Sequence, residues 1–262
     1  MGQVDCVTFG RVSILRLTGR GANAMTQEMA IKIKTIAEQT ARRTDIGALI
    51  VTGGYGTAFC AGSDLREISR LTEEGEGPGP LLRAEAEAFA ALAALPQPVI
   101  AAVEGAAMGG GLELLLCADL VIASATAKFG LPEVQVGVFP CLGGTTRLAA
   151  RIGGSRAREM LLLGDAIDAR TAFNWGLVNR LAPPFMAYFH ARQIAERLAT
   201  GACQAQAAIK TSLREAEQLP VGQATARALE AGIAHSASTD AVEGLRAFLA
   251  KEHPDFVAAR QA

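Results

Sequence analysis

Hydrophobic positions in the first two thirds of the chain follow two rhythms. Residues 4–9 and 12–17 are short runs rich in branched side chains on either side of Gly10-Arg11, which predicts two strands joined by a hairpin turn. Across residues 26–41, Met29, Ile33 and Ile36 recur at helical spacing behind Thr26, a residue suited to cap the first turn. Residues 47–52 (GALIVT) and 98–103 (PVIAAV) are unbroken apolar runs, the pattern of strands buried on both faces. Helices are expected over 81–95 and 109–117, and a further strand over 120–123. Residues 73–80 (EEGEGPGP) are acidic and rich in Gly and Pro, which predicts a mobile loop.

Strand and helix therefore alternate, the signature of an α/β core with parallel strands. Beyond about residue 145 the pattern is mostly helical. Stretches 187–198, 204–218 and 224–235 carry small and apolar residues on more than one face. Such a layer either packs on other subunits or folds back on its own core, and periodicity alone does not choose. The expected division is an α/β core over residues 1–185 and a helical region over 186–262. No internal repeat of fixed period is present.

Composition narrows the function classes. With 262 residues, half of them hydrophobic, the chain can bury the core of one large domain. The 25 basic and 26 acidic residues leave no basic footprint for nucleic acid. No apolar run is long enough to span a bilayer. The first nine residues lack the basic stretch and apolar segment of a signal peptide. The five cysteines are an odd number without metal-ligand spacing, so they read as reduced thiols of a cytoplasmic protein, with neither disulfide nor zinc.

Three segments carry candidate chemistry. Residues 56–66 (GTAFCAGSDLR) follow a buried strand and lead into a helix, a geometry that leaves backbone N–H groups pointing outward. Residues 104–113 (EGAAMGGGLE) set three glycines between a strand and a helix, where a free N–H can face a developing oxyanion. The spacing is not that of a dinucleotide fingerprint. Residues 128–144 (KFGLPEVQVGVFPCLGG) form turns around a short helix that Glu133 opens after Pro132. Taken singly, the first reads equally as an ordinary strand–helix turn. On their own, Glu113 and Glu133 read as helix-start carboxylates.

Together and in this order, FCAGSDL, GGGLE, FGLPE and PCLGGTTRL resemble the enoyl-CoA hydratase/isomerase (crotonase) family. The likeness continues through DAIDARTAFNWGLVNRL (165–181) and STDAVEGLRAFLAKEHPDF (238–256), so it spans nearly the whole chain. It implies a spiral of ββα units followed by helices that build a homotrimer or a dimer of trimers. It further implies that the backbone N–H groups of Ser63 and Gly110 hold a thioester oxygen, and that Glu113 and Glu133 are the acid/base pair. Ala61, Gly62, Asp64, Leu65, Arg66 and Arg20 are then expected at coenzyme A, with Lys251 reaching it from a neighbouring subunit. Coenzyme A enters as part of the substrate, and neither metal nor redox cofactor is implied.

The implied reaction is hydration of a 2-enoyl-CoA to a 3-hydroxyacyl-CoA. The alternatives are double-bond isomerisation, dehydration of a specialised acyl-CoA, or a non-catalytic binding protein of the same fold. Two departures stand out. Ser63 replaces the family's frequent Ala, and Cys141 stands where some members carry a third carboxylate. The three histidines, 190, 235 and 253, fall outside these motifs.

Overall fold

The apolar runs become the centre of a twisted sheet. The computed structural model describes residues 3–261 except 55–57, and it leaves the side chains of Arg20 and Gly21 undescribed. Strands β1 (Gln3–Phe9) and β2 (Val12–Thr18) pair antiparallel from Phe9↔Val12 to Gln3↔Thr18, with Gly10 turning at φ +56°. A short helix α1 (Arg20–Asn23) precedes α2 (Gln27–Ala41). Thr26 caps α2 as expected, its hydroxyl accepting from Met29 N at 3.2 Å. Strand β3 (Ala48–Thr52) pairs parallel to β2.

Helices α3 (Leu65–Glu73) and α4 (Gly79–Ala93) lead to β4 (Val99–Val103) and β5 (Ala106–Met108), followed by α5 (Gly110–Leu115). Strands β6 (Leu120–Ser124) and β7 (Lys128–Gly130) precede a 3-10 helix, Pro132–Val136. Then come α6 (Arg147–Ile152), α7 (Gly154–Leu163), β8 (Ile167–Asp168), α8 (Ala169–Asn174) and β9 (Arg180–Ala182). The remainder is α9 (Ala187–Thr200), α10 (Cys203–Gln218), α11 (Val221–His235), α12 (Thr239–Ala250) and α13 (Phe256–Ala259).

The strands form two sheets, ordered β1-β2-β3-β4-β6-β9 and β5-β7-β8. Successive strand pairs place one member in each sheet before a helix, β4-β5-α5 and then β6-β7 with the 3-10 helix. That repetition is the crotonase-type spiral. β3 and β4 are buried at every position because both faces are covered. One face, with Leu49, Val51, Ala101 and Val103, joins the main core under α2, α4 and α5. The other, with Ile14, Ile50, Ile100 and Ile122, packs on Ala187, Ala191, Ala195 and Ala199 of α9. Four alanines one helical turn apart make a flat stripe that lets the helix lie close on the sheet.

The acidic segment expected as a loop over 73–80 is shorter, and backbone hydrogen bonds tie it to the end of α3. Glu73 ends α3 and Gly79 already starts α4, so only 74–78 connect them. Gly75 and Gly77 turn at φ +83° and +64°, and the Glu76 and Gly77 N–H groups both reach Leu71 O, at 2.9 and 3.0 Å. The glycines thus serve a helix end, whose orphan carbonyls they satisfy.

Among the described residues no helix is long and apolar enough to cross a membrane. The helical tail exposes large apolar residues, including Ile209, Leu213, Leu229, Ile233, Leu245 and Phe248.

Candidate active site

The site is built where the two sheets meet. The chain from Cys60 to Asp64 is stapled on both sides. Ala61 N donates to Ala22 O (3.0 Å), Asp64 N to Met25 O (2.8 Å), and Met25 N to Gly62 O (2.8 Å). Asn23 secures the preceding loop, its Nδ2 donating to Ala58 O at 2.7 Å. On the other side Met108 N donates to Cys60 O at 3.0 Å. These bonds occupy the neighbouring donors. Among the described residues neither Ser63 N nor Gly110 N donates to a protein acceptor. Gly110 is the first residue of α5, where a helix has no internal acceptor for its N–H.

The two free N–H groups lie side by side, and glycine makes this possible at two points. A Cβ on Gly62, which turns at φ +101°, would sit 3.1 Å from Gly110 N. A Cβ on Gly111 would come to 2.2 Å of Cys60 O, so any side chain there would push α5 away from the turn. Asp64 then caps α3, accepting from Arg66 N at 2.9 Å. Ala61, Leu65 and Arg66 are exposed along the outer rim of this turn, Asp64 is half-buried and Gly62 is buried. The Arg20 side chain lies outside the described residues.

Glu113 lies in the first turn of α5 and is buried, 2 % exposed. Its Oε1 accepts from Leu142 N at 2.7 Å and Gly144 N at 2.8 Å. The PCLGG turn is thus a clamp for this carboxylate. Burial raises the Glu113 pKa, while the two amide donors and the Arg147 charge pull it back. Arg147 is itself fixed by a 3.0 Å contact to Cys117 Sγ.

Glu133, in the 3-10 helix, reaches over the start of α5. Its Oε1 lies 3.1 Å from where a Gly109 Cβ would stand. The other oxygen, Oε2, is buried without a partner among the described residues. Burial, reinforced by the Glu113 charge, lifts this carboxyl to about 7, against the pull of its own backbone N–H. The structure therefore brings Ser63, Gly110, Glu113 and Glu133 around one space.

A third carboxyl that sequence reasoning passed over stands beside them. Glu85 of α4 is fully buried, and Ser63 Oγ donates to its Oε2 at 2.8 Å. Position 141 does lack an acid, but this one arrives from another element. Its signal was spacing: Leu81, Glu85, Ala88, Phe89 and Leu92 form one buried helical stripe, with a carboxylate in the middle of it.

Cys141 is exposed, and its thiol is raised by burial first and then by Glu113. The buried Cys60 and Cys117 are pushed up to about 12 by desolvation, the state of inert packed thiols. His235 pairs with Ser238 (3.3 Å) and His190 stacks edge-on against Phe189, both in the helical tail. Lys251 ends α12 at φ +58°. Among the described residues no three His, Cys, Asp or Glu side chains are grouped to hold a metal ion.

Known proteins match this chain over most of its length. The chain is 35 % identical over 247 residues to the 2,3-dehydroadipyl-CoA hydratase of Escherichia coli K12, covering 94 % of this chain and 95 % of that one. It is 34 % identical over 239 residues to the crotonyl-CoA hydratase of Syntrophomonas wolfei, covering 91 % of each. The crystal structure of an enoyl-CoA hydratase from Bacillus anthracis superposes with a TM-score of 0.90 at 32 % identity, covering 97 % of both chains. The enoyl-CoA hydratase/isomerase family model matches residues 10–259, and the chain belongs to that family.

Proposed function

We propose that this protein is a 2-enoyl-CoA hydratase, adding water across the α,β double bond to give a 3-hydroxyacyl-CoA. The observation that carries the reading is the convergence of two carboxyls, Glu113 and Glu133, on the space beside two unpaired backbone donors, Ser63 N and Gly110 N. A thioester carbonyl between those donors gains stabilisation as negative charge moves onto its oxygen. The donors are fixed before reaction, so they need no reorganisation when charge develops.

Roles for the two acids follow from their surroundings. Glu113 holds two amide N–H donors, which favour its ionised form, so it is assigned as the base that orients water toward the β-carbon. Glu133 has a free buried oxygen and titrates at about 7, so it is assigned as the acid that delivers a proton to the α-carbon. Water supplies the hydroxyl oxygen, its proton passes to Glu113, and the proton leaving Glu133 completes the new C–H bond. Isomerisation needs only one proton shuttle and would leave the second carboxyl idle.

The rim of residues 61–66, with Arg66 and Arg20, is proposed to hold coenzyme A, with no separate cofactor. The apolar faces of α10, α11 and α12 are proposed to build a homotrimer or a dimer of trimers, with Lys251 brought to a neighbour's coenzyme A. Residues 1–185 form the catalytic core in this reading, residues 186–262 the assembly region, and the cytoplasm is the expected location. The test is turnover of 2-enoyl-CoAs of several chain lengths in heavy-oxygen water. A 3-hydroxyacyl-CoA carrying one solvent oxygen is expected. Isomerised product without solvent oxygen would refute hydration.

A further inference from the structure

Two N–H groups aimed at one point repel each other, so Ser63 N and Gly110 N stay side by side only if the chain around them is held from outside. The fit between them is close. A Cβ on Gly110 would stand 3.4 Å from Ser63 N and 3.3 Å from Ser63 Oγ. The Ser63 hydroxyl therefore lies against the same neighbour as its amide, and a shift of one moves the other.

Ser63 is attached at two places. Met25 holds the backbone on either side of it, its N–H donating to Gly62 O and its O accepting from Asp64 N, both at 2.8 Å. The bond to Gly62 O orients the peptide plane that carries Ser63 N. The second attachment is the side chain itself, Ser63 Oγ donating to Glu85 Oε2 at 2.8 Å. Both anchors come from one unit: Met25 leads into α2, Glu85 belongs to α4, and these two helices pack on each other. Gly62, next to Ser63, has no side chain to steady the turn, and the hydroxyl supplies that hold.

Glu85 is a poor choice for packing alone. It is fully buried in the apolar stripe of Leu81, Ala88, Phe89 and Leu92, where a carboxyl costs stability unless it is hydrogen-bonded. An apolar side chain would fill the stripe without that cost but would leave Ser63 Oγ unheld. Burial chiefly lifts this carboxyl to about 8, so at neutral pH it is a neutral acid and grips the hydroxyl without setting a negative charge near the developing oxyanion.

We infer that Glu85 is a positioning residue of the oxyanion site: through Ser63 Oγ it holds Ser63 N beside Gly110 N. This rests on the acyl-thioester reading above.

The test is a double-mutant cycle on kcat, with the 2-enoyl-CoA that the unmodified protein hydrates fastest. Ser63→Ala and Glu85→Leu should each lower kcat about tenfold with KM little changed, the scale of one hydrogen bond used in the transition state. The double variant should be no slower than either single one, because both break the same contact. Glu85→Gln keeps an acceptor and should restore most of the loss. Infrared spectra of bound butanoyl-CoA with a heavy-carbon label at the thioester carbonyl read the donors without turnover. Binding to the unmodified protein should lower the carbonyl frequency, and Ser63→Ala should lower it less. Unchanged kcat and carbonyl frequency in folded Ser63→Ala overturn the inference even where Glu85→Leu does not fold. Losses that multiply in the double variant, or a raised KM at unchanged kcat, also overturn it. Hydration that is indifferent to Ser63→Ala leaves the hydratase reading standing, whereas absence of hydration by the unmodified protein removes both.

Discussion

Glu85→Gln should change how stability depends on pH more than it changes stability at any single pH. The carboxyl titrates at about 8 in the folded protein against the ordinary glutamate value of 4.5, because it is buried among apolar side chains and near other acids. Between those values the folded state holds a proton that the unfolded chain has released. Unfolding there releases a proton, so stability falls as pH rises through the window. Each pH step inside it removes up to about 1.4 kcal/mol, and from pH 5 to pH 8 the loss is roughly 3 kcal/mol. Glutamine keeps the shape and an acceptor for Ser63 Oγ but has nothing to titrate. Glu133, the other strongly raised carboxyl, is present in both proteins and cancels in the comparison. The measurement is urea denaturation followed by circular dichroism at pH 5, 6, 7 and 8, at one protein concentration. The gap between variant and parent should widen by roughly 3 kcal/mol across the series in favour of glutamine. Parallel curves would show that Glu85 is ionised in the folded state, and would refute the neutral-acid argument together with its physical basis.

Glu113→Gln and Glu133→Gln should each lower hydration at least about a hundredfold, the ordinary scale of acid–base catalysis, with thioester affinity little changed; near-normal turnover in either would remove the two-carboxyl mechanism. With Glu133 as the acid, kcat/KM should fall as pH rises through about 7, and loss of that limb in Glu133→Gln is the check. Gly110→Pro should abolish activity while Ser63→Ala leaves the backbone donor in place and costs much less, because proline removes the N–H itself. Circular dichroism establishes that Gly110→Pro folds, and an active, folded variant would remove the oxyanion assignment.

Much of this protein is written in local pattern. The unbroken runs around Ile50 and Ile100 are strands because only burial on both faces accommodates them. Thr26 starts its helix because its hydroxyl satisfies an N–H that the helix cannot. The order of FCAGSDL, GGGLE and FGLPE carried the family, since glycine and carboxylate needs at such turns are local. Other features are decided by contacts distant in sequence. The 73–80 segment resembled a loop by composition, yet its glycines terminate α3. The PCLGG turn showed its purpose only when Leu142 N and Gly144 N were found on Glu113, 29 and 31 residues away. Glu85 lies 22 residues from Ser63 in a helix whose periodicity looked purely structural. Sequence assigns a residue to a buried face, but only the packing of α4 against the 60–64 turn decides that this face sets a carboxyl on Ser63, because that contact joins two elements distant in sequence.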